Sequence, residues 1–323
     1  MTNFPFFKKQ IEMKSIKKAA NITGAACSCM LVLNITLQVV LLVWLKVLGF
    51  TDEALKELLK NNAILMLLQA GLSALVFTLP FIIPVKMGNV RVCELLPLEK
   101  VKKGTLLPFL MIGMGCCQLA EAFSMLFYNA LAVFGINPSY DMGFTYEEGI
   151  LPFLVSVLTV AVLPALLEEF AMRGVVMGLM RPFGDGFAIL VSAFIFGLIH
   201  GNLVQIPFAF LVGLGLGFIT VKSGSLWPAV AVHFTNNFMA VITEYLSSAV
   251  DTRLFVLIRI SVSVLWLVLG IFGVLMLSLR DKTAFNLKKS ETEARFGEKI
   301  KWTATAPFFV IALVMLAVKL ITA

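Results

Sequence analysis

The sequence has little charge and few of the residues that usually carry metal or redox chemistry. Of its 323 residues, 14% are charged, two are histidine and five are cysteine. An ordinary soluble domain, in which about 25% of residues are charged, is therefore excluded. No CxxC pair and no HExxH segment is present, so the usual signatures of zinc ribbons and zinc proteases are missing. We interpret the cysteines as small packing residues.

The sequence is rich in long apolar segments. Hydrophobic residues make up 59% of the chain and its mean hydropathy is +0.95. A bilayer core needs roughly 20 apolar residues for each helical crossing. The predicted fold class is therefore all-α, a polytopic transmembrane helical bundle of about eight or nine spans. The nine candidate spans are 19–48, 63–85, 105–134, 150–180, 186–201, 203–221, 225–246, 254–279 and 304–321.

The basic residues indicate orientation rather than a nucleic-acid partner. They outnumber the acidic residues by 26 to 19, but they lie in short loops between apolar segments and not on one soluble face. In a nine-span topology the N-terminus and the loops 86–104 and 280–301 share one side, whereas 135–149 carries no Lys or Arg. We expect a multi-pass protein of a bacterial plasma membrane, with a cytoplasmic N-terminus and no nucleic-acid partner.

The segment "LPALLEEFAMRGVV" places three ionisable residues, Glu168, Glu169 and Arg173, inside an apolar run. Each ionised group at mid-bilayer costs roughly 2.5–3.5 kcal/mol, and such residues are functional candidates by default. Glu169 and Arg173 are four residues apart, which predicts an ion pair on one helix face. Glu168 lies about 140° around the helix from Arg173. It is therefore left free, and is the candidate general base.

The two histidines of the chain also lie in apolar segments, His200 in "FIFGLIHGN" and His233 in "AVHFTNNF". Their depth and their nearness in sequence to the double glutamate predict one shared site. On their own helix faces, Phe196 is expected to pack against His200, and Asn237 to add an amide donor beside His233. Depths counted along straight helices do not coincide, so the site requires tilted helices or an irregular 186–201 segment.

Three short motifs, "EEFAMR", "FGLIH" and "HFTNN", resemble in order and spacing those of the CAAX-protease and bacteriocin-processing (CPBP) family of intramembrane endopeptidases. The resemblance covers roughly residues 150–242. It implies an all-helical membrane fold with an intramembrane catalytic cavity. It also implies an enzyme, a CAAX-type peptide hydrolase that cleaves a membrane-associated or secreted peptide.

The resemblance further implies a role for each motif residue. Glu168 and His200 would activate a water molecule, and His233 and Asn237 would hold the oxyanion of the tetrahedral intermediate. The supporting residues would be Glu169, Arg173 and Phe196. The expected partners are a peptide or protein substrate and the lipid bilayer, and the oligomeric state stays open. No cofactor is expected.

The candidate spans and the three motifs together predict a division of the chain into three parts. Residues 1–149 would form about three N-terminal transmembrane helices, 150–246 the catalytic core, and 247–323 C-terminal transmembrane helices with a basic cytoplasmic loop. The polar segment within this last part, 280–301, is the longest polar stretch of the chain.

Two alternatives remain at this point. Glu168, His200 and His233 could instead be ligands of a Zn²⁺ ion, although the chain would then lack an obvious base other than Glu169. The same fold could also serve a non-catalytic peptide-binding or bacteriocin-immunity protein. A transporter is disfavoured, because the polar groups cluster in one place and no paired broken helices are evident.

Overall fold

The computed structural model describes residues 4–55, 62–136, 149–288 and 291–322. Within these ranges the regular structure is helical, apart from one isolated β-bridge between Leu98 and Ser225, so the all-α fold class is confirmed. The helices are α1 (Phe4–Val47), α2 (Asn62–Met87), the single turn α3 (Val92–Leu95), α4 (Leu106–Val133), α5 (Ile150–Phe183), α6 (Asp185–Ile199), α7 (Gln205–Ser223), α8 (Trp227–Ala249), α9 (Thr252–Arg280), α10 (Phe296–Ala304) and α11 (Pro307–Thr322).

Six of the described helices, α1, α2, α4, α5, α7 and α9, are long and apolar enough to cross a bilayer. The pair α10 and α11, bent by 73° at a short break, gives a seventh span if it is counted as one. The chain is therefore an integral, multi-pass membrane protein. The predicted count of eight to nine spans is not confirmed.

The difference in span count has a physical cause in α6 and α8. Helix α6 has 15 residues, a length of about 22 Å that is shorter than a bilayer core of about 30 Å. Helix α8 has 23 residues, enough to cross, but its polar residues keep it below the hydropathy of a typical span. Because α6 stops short, its C-terminal end lies inside the helical bundle and carries His200 there.

Helix α5 is continuous but irregular. It contains two π-helical stretches, Val157–Val162 and Phe170–Val176, separated by one α-helical segment. Pro164 lies in the first turn of that segment and lacks the N–H that an α-helix would direct at the carbonyl of Val160. A π-helical turn of this kind exposes backbone groups to outside partners, and such turns are frequent at functional sites.

The hydrophobic core joins all parts of the chain. One buried cluster contains residues of α1, α2, α5, α6 and α11, among them Ala26, Phe81, Met172, Ile195 and Leu316. A second cluster joins α4, α7, α8 and α9. The division at residues 149 and 246 stays a prediction, since helices from all three proposed parts contribute to the packing around α5 and α6.

Polar contacts bring the basic segments of the chain to one end of the bundle. Lys8 of α1 pairs with Glu293, at 3.0 Å between Nζ and Oε1, and Lys222 at the end of α7 donates to the carbonyl of Thr283 at 3.1 Å. Arg280 at the end of α9 donates to the carbonyl of Gly104. The N-terminus, the 86–104 loop and the 280–301 loop therefore share one side, as the charge pattern predicts.

Candidate active site

The structure brings the predicted site residues together from three elements. Helix α5 supplies both glutamates and the arginine, the end of α6 supplies Phe196 and His200, and α8 supplies His233 and Asn237. His233 links the two glutamates. Its Nδ1 atom lies 2.9 Å from Oε1 of Glu169, and its Nε2 atom lies 3.9 Å from Oε2 of Glu168.

The ion pair expected from the spacing on α5 is present and fully buried. Arg173 Nη1 lies 3.0 Å from Oε1 of Glu169, and both side chains are 0% exposed. The arginine has further partners, because its guanidinium carbon lies 4.3 Å from the centroid of the Phe196 ring and Nη2 donates to the carbonyl of Gly213 at 3.5 Å. These contacts offset part of the cost of burying both ions, while Oε2 of Glu169 and Nε of Arg173 are buried without a hydrogen bond among the described residues.

Gly213 makes this arrangement possible because it lets α7 approach α6 closely. A Cβ atom at this position would lie 3.0 Å from the Cα and Cβ atoms of Ala193. Any larger residue at position 213 would push α7 away, and the carbonyl that accepts from Arg173 would move with it. The site thus depends on the packing of α6 and α7 as well as on its polar side chains.

The ring of Phe196 lies between the two histidines and the arginine. Its centroid is 5.0 Å from that of His200 and 6.0 Å from that of His233, both in edge-to-face contact. The contact with His200 is the one that the spacing predicts, and the contact with His233 was not foreseen. Phe196 therefore packs against three of the polar groups and links them to the buried apolar cluster, of which it is part.

His200 has a fixed ring orientation. Its Nδ1 atom lies 2.7 Å from the carbonyl oxygen of Phe196, and because a carbonyl can only accept, the Nδ1–H donates. The Nε2 atom is left as the second functional atom of the ring. His200 also interacts electrostatically with Glu168 and with His233, which places all three in one cluster.

Asn237 is held by two amide contacts. Its Nδ2 donates to the carbonyl of Val160 at 3.0 Å, the same carbonyl that Pro164 leaves without an α-helical donor. Its Oδ1 accepts from Nδ2 of Asn236 at 3.2 Å. The amide nitrogen of Asn237 has two hydrogens, so one of them remains for another acceptor.

Two features of the site were missed from the sequence. Asn236 orients Asn237, and the adjacent asparagines in "HFTNN" were the available signal. The second feature is the contact of His233 with Glu169. The two residues are 64 positions apart, and periodicity on a single helix gives no information about a contact between helices.

The donor set does not fit a three-ligand metal site as the residues stand. Among the described residues, no three His, Cys, Asp or Glu side chains converge in a way that would hold a metal ion. Each histidine among the alternative ligands Glu168, His200 and His233 has its Nδ1 in a hydrogen bond and keeps Nε2 available, so these bonds alone do not argue against a metal. Because the described residues form no three-ligand cluster, we derive no chemical step through a metal.

Comparison with known proteins gives one finding. Residues 150–239 match the family model described as type II CAAX prenyl endopeptidase Rce1-like. This segment is therefore similar to the CAAX-protease family. The resemblance carried by the three motifs is thereby confirmed, and all seven predicted site residues lie within the matched CAAX-protease segment. Searches of curated proteins and of solved structures give no significant match. The matched family model describes proteases, and six of the described helices are long and apolar enough to cross a membrane.

Proposed function

We propose that the protein is an intramembrane endopeptidase that hydrolyses a peptide bond of a membrane-associated or secreted-peptide substrate. The observation that carries the proposal is the contrast between the two glutamates. Glu169 is fully buried and bound to Arg173 and His233. Glu168 keeps 17% side-chain exposure, and its ion-pair contact among the described residues is the 3.9 Å approach to His233. A carboxylate so placed can accept a proton from water.

In the proposed reaction, Glu168 takes a proton from a water molecule as the water oxygen bonds to the peptide carbonyl carbon. His200 orients the same water through Nε2. The tetrahedral intermediate then collapses, the carbon–nitrogen bond breaks, and the proton passes from Glu168 to the leaving amine. General base catalysis of this type contributes about 10²–10⁴-fold in rate.

His233 and Asn237 are proposed to stabilise the oxyanion of the tetrahedral intermediate. The His233 ring is oriented by Glu169, which accepts from its Nδ1 and places Nε2 toward Glu168. Nε2 can donate to the oxyanion only when it carries a hydrogen in addition to the one on Nδ1. Asn237 contributes the N–H that Val160 does not use. One such donor is worth about 10²–10³-fold in rate.

The experiment that tests the function compares peptide termini in membranes. Cells would produce the wild-type chain, the Glu168→Gln variant, or no chain, and mass spectrometry would identify the termini in each membrane fraction. We expect a set of new termini with the wild type alone. Glu94→Gln, at an exposed position on α3, is the matched control and should give the wild-type set. Identical termini in every sample would favour the non-catalytic peptide-binding alternative.

We also propose that the reaction needs no metal cofactor. Purified protein should then contain less than one zinc per chain, and cleavage should persist after treatment with strong chelators, provided that the melting temperature is unchanged. Elemental analysis and a cleavage assay measure the two quantities on the same preparation. One tightly bound zinc per chain, with activity lost on removal and restored on addition, would contradict the proposal.

A cytoplasmic N-terminus is proposed from the basic end of the bundle described above. In a cysteine-free background, a cysteine at Lys282 should react with an impermeant reagent only from the cytoplasmic side, and one at Glu147 only from outside. Glu147 belongs to the acidic 135–149 loop, of which residues 137–148 lie outside the described part of the chain. Labelling of both positions from the same side would contradict the proposed orientation.

A further inference from the structure

The C-terminal helix α11 reaches the site through one lysine. Lys319, in the last turn of α11, donates from Nζ to the carbonyl oxygen of Ile199 at 2.7 Å. Ile199 is the final residue of α6, and the last carbonyls of a helix lack intrahelical partners. A cation at this end is also favoured by the helix dipole. The lysine therefore caps α6 immediately before His200.

The backbone on the other side of His200 contacts the same lysine. Gly201 has a φ of +66°, and a Cβ atom there would lie 2.5 Å from Cε of Lys319. Position 201 thus favours glycine for its left-handed conformation, and a Cβ atom there would also displace the end of the Lys319 side chain. Lys319 touches the chain directly before and directly after His200.

Packing fixes the position of α11 and hence of its lysine. Ala312 and Leu316 of α11 are 0% and 1% exposed and belong to the same buried cluster as Phe196 and Ile199. Helix α11 also carries Lys319 close enough to His200 for an electrostatic interaction. A rigid helix, and not a mobile tail, supplies the contact.

We propose that Lys319 is a positioning residue for His200, although it lies 80 residues beyond the matched CAAX-protease segment, which ends at residue 239. By holding residues 199 and 201, it sets the direction in which the imidazole leaves the end of α6. The consequence for catalysis rests on the proposed function of His200. The positional effect itself does not, and it can be measured without a substrate.

The test uses the fact that the chain has two histidines. Full-length protein with isotope-labelled histidine gives two sets of imidazole NMR signals, assigned with His233→Ala. Lys319→Met should shift the His200 signals by more than their line width and leave those of His233 in place. Lys319→Arg, which keeps a cation that can reach the Ile199 carbonyl, should largely restore the His200 signals. Lys301→Met, the same change at an exposed lysine of α10, should shift neither.

An unchanged His200 signal in a folded Lys319→Met protein would overturn the proposal. If that variant does not fold, Lys319→Gln replaces it, with the same expected shift.

Cleavage then separates this proposal from the proposed function. With the peptide found by the terminus comparison as the probe, Lys319→Met should lower kcat about 10–100-fold and leave KM within about twofold, since small displacements of catalytic groups cost this much. A shifted His200 signal in a protein whose wild type cleaves nothing would leave the positioning role intact and remove the protease function. A shifted signal with unchanged kcat would remove the catalytic consequence of the proposal.

Discussion

Replacing Glu168 by glutamine is expected to leave the protein folded and to lower peptide cleavage by about 10²–10⁴-fold, the usual contribution of a general base. Glutamine keeps the size of the side chain but cannot accept a proton from water. The fold should tolerate the change, because Glu168 is partly exposed and is not part of the buried pair of Glu169 and Arg173. Single-turnover cleavage and the melting temperature in detergent measure the two effects separately.

The control for this prediction is the neighbouring carboxylate. Glu169→Gln can still accept from Nδ1 of His233 through its amide oxygen, but it removes the negative charge opposite Arg173. It should therefore lower the melting temperature as well as the rate. If Glu168→Gln cleaves at nearly the wild-type rate while a well-folded Glu169→Gln does not cleave, the base has been assigned to the wrong carboxylate.

The sequence predicts those contacts of the site in which both residues lie on the same helix. Glu169 and Arg173, and Phe196 and His200, are each four residues apart, and helical geometry alone makes them neighbours. The pairs are found as predicted, at 3.0 Å between charged atoms and 5.0 Å between ring centroids. The expectation of tilted helices or an irregular 186–201 segment also has a structural answer, since α6 is a short α-helix that ends at Ile199 and stops within the bundle.

Contacts between helices could not be predicted in the same way. The bond of Glu169 with His233 and the contact of Lys319 with Ile199 join residues 64 and 120 positions apart, and their geometry depends on how α5, α6, α8 and α11 pack. Hydropathy likewise predicted eight to nine spans, a count that the structure does not confirm. Hydropathy does not show where an apolar helix ends, and this is what distinguishes a short helix from a full span. The end of α6 depends on Gly201 and its left-handed backbone.

The two ions of α5 are expected to behave as one unit in stability. Breaking a buried pair leaves an uncompensated charge and costs about 3–5 kcal/mol. Arg173→Met fills much of the same volume but leaves the carboxylate of Glu169 with His233 as its remaining partner, and Glu169→Gln leaves the guanidinium with the ring of Phe196 and a backbone carbonyl. Each single variant should therefore unfold at a lower temperature than the wild type.

The double variant Glu169→Gln with Arg173→Met distinguishes the contribution of the ion pair to stability from the contribution of side-chain packing. It removes both charges, and replacing a buried ion pair by uncharged groups of similar volume is often neutral for stability. The amide oxygen at position 169 can still accept from Nδ1 of His233, so the ring keeps its orientation. We expect the double variant to melt closer to the wild type than either single variant, with a coupling of about 0.5–3 kcal/mol in the double-mutant cycle. Its cleavage should stay low, because the group that contacts the His233 ring no longer carries a negative charge. If the stability losses of the two single variants simply add up in the double variant, the prediction of a coupled ion pair is wrong. Arg173 would then stabilise α5 through Phe196 and Gly213, independently of the charge of Glu169.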